Sequence, residues 1–386
     1  MRREKSILFV RPDFHCSFFY RDEFRKHGWV ADIFVQPGYP EKLLYSNSDI
    51  LKIPELKWGN NRLFGWLNSI WSVIWWLRNL CKYRYHLYYA APPVFNFFEK
   101  RLRLSRFFGE DFLFELFLAK LFGVKLLYLP SGCHDDDLKA MWKTFDNGNV
   151  CGNCGYYDRC NDDLNKIKFK SLRRYFDFFI GFGFKNSREF DETHLKYKSI
   201  DLSLWNPGIK IPDRFLLPET KNLRVLHSNY LKNSGRDYKN RNIKGSPYVH
   251  SAVNRLKREG YSVEYMAIDN IASNEMRFYQ AQADIVVDQL IFGSWGSTCV
   301  EALALGKPVV CYLRPSVKKS FLGNFHEYDT LPIIEADTVT IYEVLKKLVE
   351  DPELRKRKAT ESRSFAESHF NPTTNGLEFI KLLSQI

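Results

Sequence analysis

Short apolar runs alternate with longer amphipathic segments from one end of this chain to the other, and few architectures accept that pattern. A run that is apolar on both faces has to be covered above and below, which helices do for the strands of a parallel sheet. Ser6–Arg11 reads as such a first strand, Phe18–His27 as a helix, Ala31–Val35 as a second strand and Tyr85–Ala90 as another. Asp111–Phe122 reads as an amphipathic helix stopped by Gly123, followed by strands at Val124–Leu129 and Asp177–Phe182. The turn-rich stretch Trp205–Asp213, with Leu217–Lys221 after it, interrupts the pattern and reads as a linker.

A fresh α/β series then begins. Its expected strands are Leu223–His227, Ser262–Ala267, Asp284–Val287 and Pro308–Tyr312. Its expected helices are Lys244–Glu259, Asn274–Gln282, Thr298–Leu305, Ile341–Glu350, Pro352–His369 and Thr374–Ser384. The 386 residues suit two domains, 1–215 and 216–386, the first with a Cys-rich insertion at about 131–165. The last helix is expected to pack back on the first domain. Tandem α/β domains bind ligands in the cleft at the carboxyl ends of their strands.

A net charge of +12 favours an anionic partner: a phosphorylated substrate, an acidic bilayer or nucleic acid. The apolar run Ile7–Val10 is too short for a signal-peptide core. Leu63–Leu77, broken by Gly65, Asn68, Ser69 and Ser72, falls short of the ~20 residues of a spanning helix. The cytoplasm is therefore the expected compartment. The polar positions of Leu63–Leu77 share a helical stripe with Trp76, and an exposed indole there suits a membrane interface. The region 82–106 adds six Lys and Arg against Glu99, which would dock on anionic headgroups at the inner face of the membrane. A core helix followed by an ordinary solvated basic face accounts for the same residues.

The most informative stretch is Ala283–Val310. A buried strand ends at Asp288, a loop carries Gly293 and Gly296, and a helix starts at Ser297 or Thr298, either of which suits an N-cap. Glycines admit close approach, and the free N–H groups and dipole of a helix amino terminus make an anion site. Glu301, one turn on, could accept hydrogen bonds from hydroxyls. Phosphate beside hydroxyls is what a nucleotide sugar presents; the plainer reading is a capped helix after a tight turn.

This stretch resembles the donor region of bacterial glycosyltransferases with the GT-B fold, the large and mainly retaining group 1 or family 4-like enzymes. Glu301-Ala-Leu-Ala-Leu-Gly-Lys-Pro-Val keeps the second half of their motif, whereas Gly293 stands where they carry a first Glu. Asn242-Ile-Lys244-Gly245 and Asn274–Asp284 extend the match, which runs from about residue 223 to the end. The resemblance implies two facing Rossmann-like domains and transfer of a sugar from a UDP or GDP type donor to a saccharide acceptor, lipid-linked or free. It implies that Glu301 binds the ribose, that Gly296, Ser297 and Thr298 bind the diphosphate, and that Lys244 and Arg241 neutralise the departing charge without a catalytic metal. Asp288 would take over part of the missing Glu's role. In the loop after the first strand, His15 and Ser17 would face the donor phosphate. Pro130–Asp137 resembles the cleft turn of these enzymes, with His134 and Asp135 on the acceptor side and Asp137 as a helix cap. A GT-B nucleotide-sugar epimerase is the nearest alternative.

Of eight cysteines, Cys16, Cys81, Cys299 and Cys311 are scattered, while Cys133, Cys151, Cys154 and Cys160 lie close together. The Cys-x2-Cys spacing of 151 and 154 lets two thiolates share a tetrahedral structural zinc, with Cys160 and Cys133 or His134 completing it. Free thiols or a disulfide are the alternatives. A basic zinc-containing nucleic-acid binder ranks below the transferase, because it leaves the Gly296–Glu301 loop and helix unexplained.

Overall fold

The computed structural model describes residues 3–13, 15–35, 39, 41, 44–46, 49–53, 62–89, 105–109, 112–129, 172–181, 192–194, 198–229, 244–269, 271–324 and 331–386. Strand β1 (Arg3–Val10) is followed by α1 (Cys16–Lys26), β2 (Val30–Phe34), β3 (Ile50–Leu51), α2 (Arg62–Leu80) and β4 (Tyr83–Tyr89). Then come α3 (Ser105–Phe108), α4 (Phe114–Leu121), β5 (Lys125–Leu129), β6 (Phe178–Gly181) and β7 (Glu192–His194). All pairings are parallel, in the order β3-β2-β1-β4-β5-β6-β7. Ile7, Leu8, Phe9 and Val10 are all buried, as a central strand covered on both faces requires.

The second sheet runs β12-β11-β10-β8-β9 and is again parallel. Its strands are β8 (Leu223–Asn229), β9 (Val263–Asp269), β10 (Ile285–Val287), β11 (Val309–Cys311) and β12 (Ile334–Glu335). They alternate with α5 (Ser246–Arg258), α6 (Met276–Ala281), α7 (Ser297–Ala304), α8 (Pro315–Asn324) and α9 (Ile341–Glu350). The chain closes with α10 (Pro352–His369) and α11 (Pro372–Ser384). β1 lies inside the first sheet and β10 is the middle strand of the second, and the loops after these parallel strands reach the carboxyl edges where such folds bind ligands.

Two features hold the halves together. Helix α10 packs on α7 in the second half, whereas α11 lies on α1 in the first. Phe379 of α11 is fully buried against the rings of Tyr20 and Phe24, and Tyr85 Oη donates to the Leu383 carbonyl at 2.7 Å. Burying one such phenyl ring contributes on the order of 2–3 kcal/mol. The second feature is aromatic. Trp205, fully buried in the connecting segment, meets Phe19 of α1, Tyr45 and His15, and these join the core built by α7.

The structure corrects the expectation about Trp76. Its indole is buried against Phe34 and His86, with ring centroids 5.2 and 5.7 Å away. A large ring gains more from burial than the small polar side chains on its stripe gain from being exposed. Ile74 of α2 points outward instead. The exposed aromatic surface of this half lies elsewhere, at Phe107, Phe108, Phe117 and Phe122 with Leu121. Among the described residues no helix is long and apolar enough to cross a membrane.

Candidate donor site at the domain seam

The site begins where β10 stops. Asp288 follows it, fully buried, its backbone N–H tied to the Val310 carbonyl at 2.9 Å. Its side chain turns to the amino terminus of α7, where Oδ2 accepts the Gly296 N–H at 2.6 Å. Sequence reasoning put a Ser297 or Thr298 hydroxyl in the capping position. Gly296 is the cap residue, no side-chain hydroxyl caps the helix, and the Asp288 carboxylate serves the terminus from outside. A full negative charge outcompetes a neutral hydroxyl for donors at the positive end of a helix dipole. A Cβ on Gly296 would sit 3.2 Å from Asp288 Oδ2, so glycine allows this close approach.

Lys244 completes the arrangement. It lies in the turn before α5 and donates from Nζ to Asp288 Oδ1 at 3.3 Å and to Thr298 Oγ1 at 3.5 Å. Thr298 Oγ1 is also 3.4 Å from Ser228 Oγ at the end of β8. The turn is held by Gly245, at φ 76°, where an added Cβ would lie 2.9 Å from Leu290 Cβ. Leu290 N–H in turn donates to the Lys244 carbonyl at 3.1 Å. Below it, His227 is clamped between the Val287 carbonyl and Ser246 Oγ, and burial, with the charge of Lys244, lowers its pKa to about 3. It is a neutral structural histidine.

Glu301 lies one turn into α7 and is buried. Gln280 of α6 donates to its Oε2 at 2.6 Å, and His15 Nδ1 approaches its Oε1 to 3.4 Å. Burial pushes the Glu301 carboxyl up to about 7, against the opposing pull of the Gln280 hydrogen bond and the Lys244 charge. Burial also lowers His15 to about 4, with the nearby Asp13 carboxylate working the other way. Neither ring nitrogen of His15 has a hydrogen-bond partner within the described structure.

Sequence reasoning missed three contributors. Gln280 orients Glu301. Asp13, fully buried in the loop after β1, accepts from Lys198 Nζ at 2.8 Å and brings a charged pair beside His15. Arg314 explains the vacant motif position: Gly293 has φ 78°, and a Cβ there would fall 2.0 Å from Arg314 Cγ. Only long-range packing reveals these three, because none has a local spacing signal. Ser17 Oγ accepts the Asp13 N–H at 2.9 Å. Arg241, His134, Asp135, Asp137, Cys133, Cys151, Cys154 and Cys160 lie outside the described residues.

No protein-family model matches this sequence, and no curated protein matches it. Solved structures do. The chain is similar to a sucrose-phosphate synthase from Thermosynechococcus elongatus, with a TM-score of 0.59 at 12% identity over 99% of this chain and 98% of that one. It is similar to a glycosyltransferase from Rickettsia africae, with a TM-score of 0.55 at 10% identity over 98% of both chains. It is also similar to HepE from Anabaena, solved with UDP-glucose, with a TM-score of 0.52 at 13% identity over 99% and 100%. With two parallel sheets and neighbours that span nearly the whole chain, the fold is GT-B.

Proposed function

We propose that this GT-B chain is a glycosyltransferase that moves a sugar from a nucleotide diphosphate donor to a saccharide acceptor. One observation carries the reading: the amino terminus of α7 holds an anion, the Asp288 carboxylate, with Lys244 beside it and Glu301 one turn away. A diphosphate would take the place of that carboxylate, with the Gly296, Ser297 and Thr298 N–H groups as donors. Glu301, oriented by Gln280, would accept the ribose hydroxyls. Lys244 would balance the charge that grows on the leaving diphosphate, the chief electrostatic demand of such a transfer. Asp288, once displaced, would be free to meet hydroxyls of the donor sugar.

The finer parts of the reading rest on the family resemblance. They are a UDP or GDP type donor, retention of configuration, catalysis without a metal, and an acceptor in surface-glycan assembly, free or lipid-linked. The UDP-glucose held by HepE favours uridine. Contact with the inner membrane face, if the acceptor is lipid-linked, would fall to the exposed ring cluster of α3 and α4. There Phe108 stacks on Phe112, Phe112 meets Phe117, and Arg174 lies over Phe112. Aromatic rings beside guanidinium groups suit an anionic headgroup layer.

The test is calorimetric titration with UDP, GDP, ADP and CMP, and with the matching sugars, on the wild type and Glu301→Ala. Binding of one nucleoside diphosphate, lost in the variant, supports the donor site. A folded protein that binds none of them refutes it. Product analysis then separates transfer to an acceptor from epimerisation of the donor sugar.

A further inference from the structure

Away from the donor residues, the outer edge of the first sheet carries a cleft of about 490 Å³ between β3 and α2. Its helix wall is built from Trp71, Ile74, Trp75 and Arg78, Lys82 follows in the turn after α2, and its strand wall ends in Lys52. Steps of three, four and seven residues along α2 bring these side chains to one face. No acid is among the described residues that line it.

The lining is not self-satisfied. Arg78 is exposed at the mouth and, among the described residues, makes no ion pair or hydrogen bond. Lys82 donates to Asn79 Oδ1 at 2.7 Å, and Lys52 pairs with Glu41 at 3.3 Å on the surface. Two indoles and a surplus of cations make up the chemistry of the cleft.

We infer that this cleft binds an anionic sugar, a ring that carries a phosphate or a carboxylate. The C–H face of the ring packs on Trp71 and Trp75, and the anion takes the fork of Arg78. Lys82 and Lys52 add attraction without fixing geometry. A bare inorganic anion leaves the indoles unused, and a neutral sugar leaves Arg78 unused. The site stands whether or not the α7 region transfers sugars.

The test is calorimetric titration of the full chain with glucose 6-phosphate and glucuronic acid. Glucose, maltose, inorganic phosphate and phosphatidylglycerol vesicles serve as comparisons. The charged sugars should bind at least about tenfold more tightly than the neutral ones or phosphate, the margin expected of a hydrogen-bonded charge. Arg78→Gln, at an exposed position, should remove that margin. Trp75→Ala, which removes one stacking face, should weaken binding several-fold. Glu301→Ala should leave it unchanged, which separates this site from the donor site. Equal affinity for neutral sugars, indifference to Arg78→Gln, binding of vesicles alone, or no binding at millimolar concentration would each overturn the inference.

Discussion

His15, just before α1, and Glu301 of α7 meet at 3.4 Å inside the seam between the two halves of the molecule. Neither side chain is accessible to any extent that matters, and each is held near its neutral form by burial. Glu301, which we propose as a donor-binding residue, is thus also an interface residue. On that proposal, ligand binding and the packing of the two halves draw on the same carboxyl group.

This coupling gives a signed pH dependence. Glu301 has its folded pKa raised to about 7, so its contribution to stability is fully present below about 4.5 and is lost as pH rises through about 7. His15, lowered to about 4, contributes above 6.5 and loses that contribution as pH falls through about 4. Replacing Glu301 by Gln removes only the first term. Glu301→Gln should therefore gain on the wild type between pH 5 and pH 8, by up to about 3 kcal/mol. Chemical denaturation across that range reads the gap, and a constant gap would show that Glu301 is not held neutral.

Lys244 and Asp288 form a buried pair, and breaking such a pair from one side leaves an uncompensated charge. Lys244→Met should cost about 3 kcal/mol of stability, whereas the double change with Asp288→Asn should recover much of it. Transfer should behave differently. Activity should drop about 10²–10³-fold in the single variant and stay low in the double one, since the donor charge has lost its partner. An active double variant would remove Lys244 from the chemistry.

Placing at 293 the acid that the glycosyltransferases resembled by Ala283–Val310 carry there should fail. Gly293→Glu, and even Gly293→Ala, forces a side chain into a left-handed backbone and onto the Arg314 side chain. The expected cost is about 2 kcal/mol or more, seen as a lower denaturation midpoint. If Gly293→Glu is as stable as the wild type, the loop has a second conformation.

Trp205 is the ring on which His15, Phe19 and Tyr45 converge. Trp205→Ala should cost about 3–5 kcal/mol and should loosen one domain from the other. Calorimetry should then resolve two transitions where the wild type gives one.

For the cysteine cluster we propose a structural zinc on Cys133, Cys151, Cys154 and Cys160. Metal analysis should find one equivalent, lost when Cys151 and Cys154 are replaced by serine. Zinc-free protein whose four thiols react freely in the native state would identify ordinary reduced cysteines.

The sequence alone was sufficient for the α/β class, the two sheets and most strand positions. A strand buried on both faces has to be an unbroken apolar run, and runs such as Ile7–Val10 and Ile285–Val287 stand out without any context. The Gly293 and Gly296 loop and the start of α7 at Ser297 were legible for a similar reason, because a close-packed turn into a helix needs residues without a Cβ. What the sequence left undecided depends on contacts between distant residues. That Asp288 caps α7, that Gln280 holds Glu301 and that Arg314 fills the space at Gly293 are pairings across 8 to 21 residues and two or more elements. The meeting of His15 with Glu301 spans the whole interface. Trp76 makes the same point in reverse: its helical stripe pointed outward, and the pull of burial on a large ring turned it in. Local pattern determines which segments form strands and helices, whereas the partners of a buried polar group are decided only when the two domains close on each other.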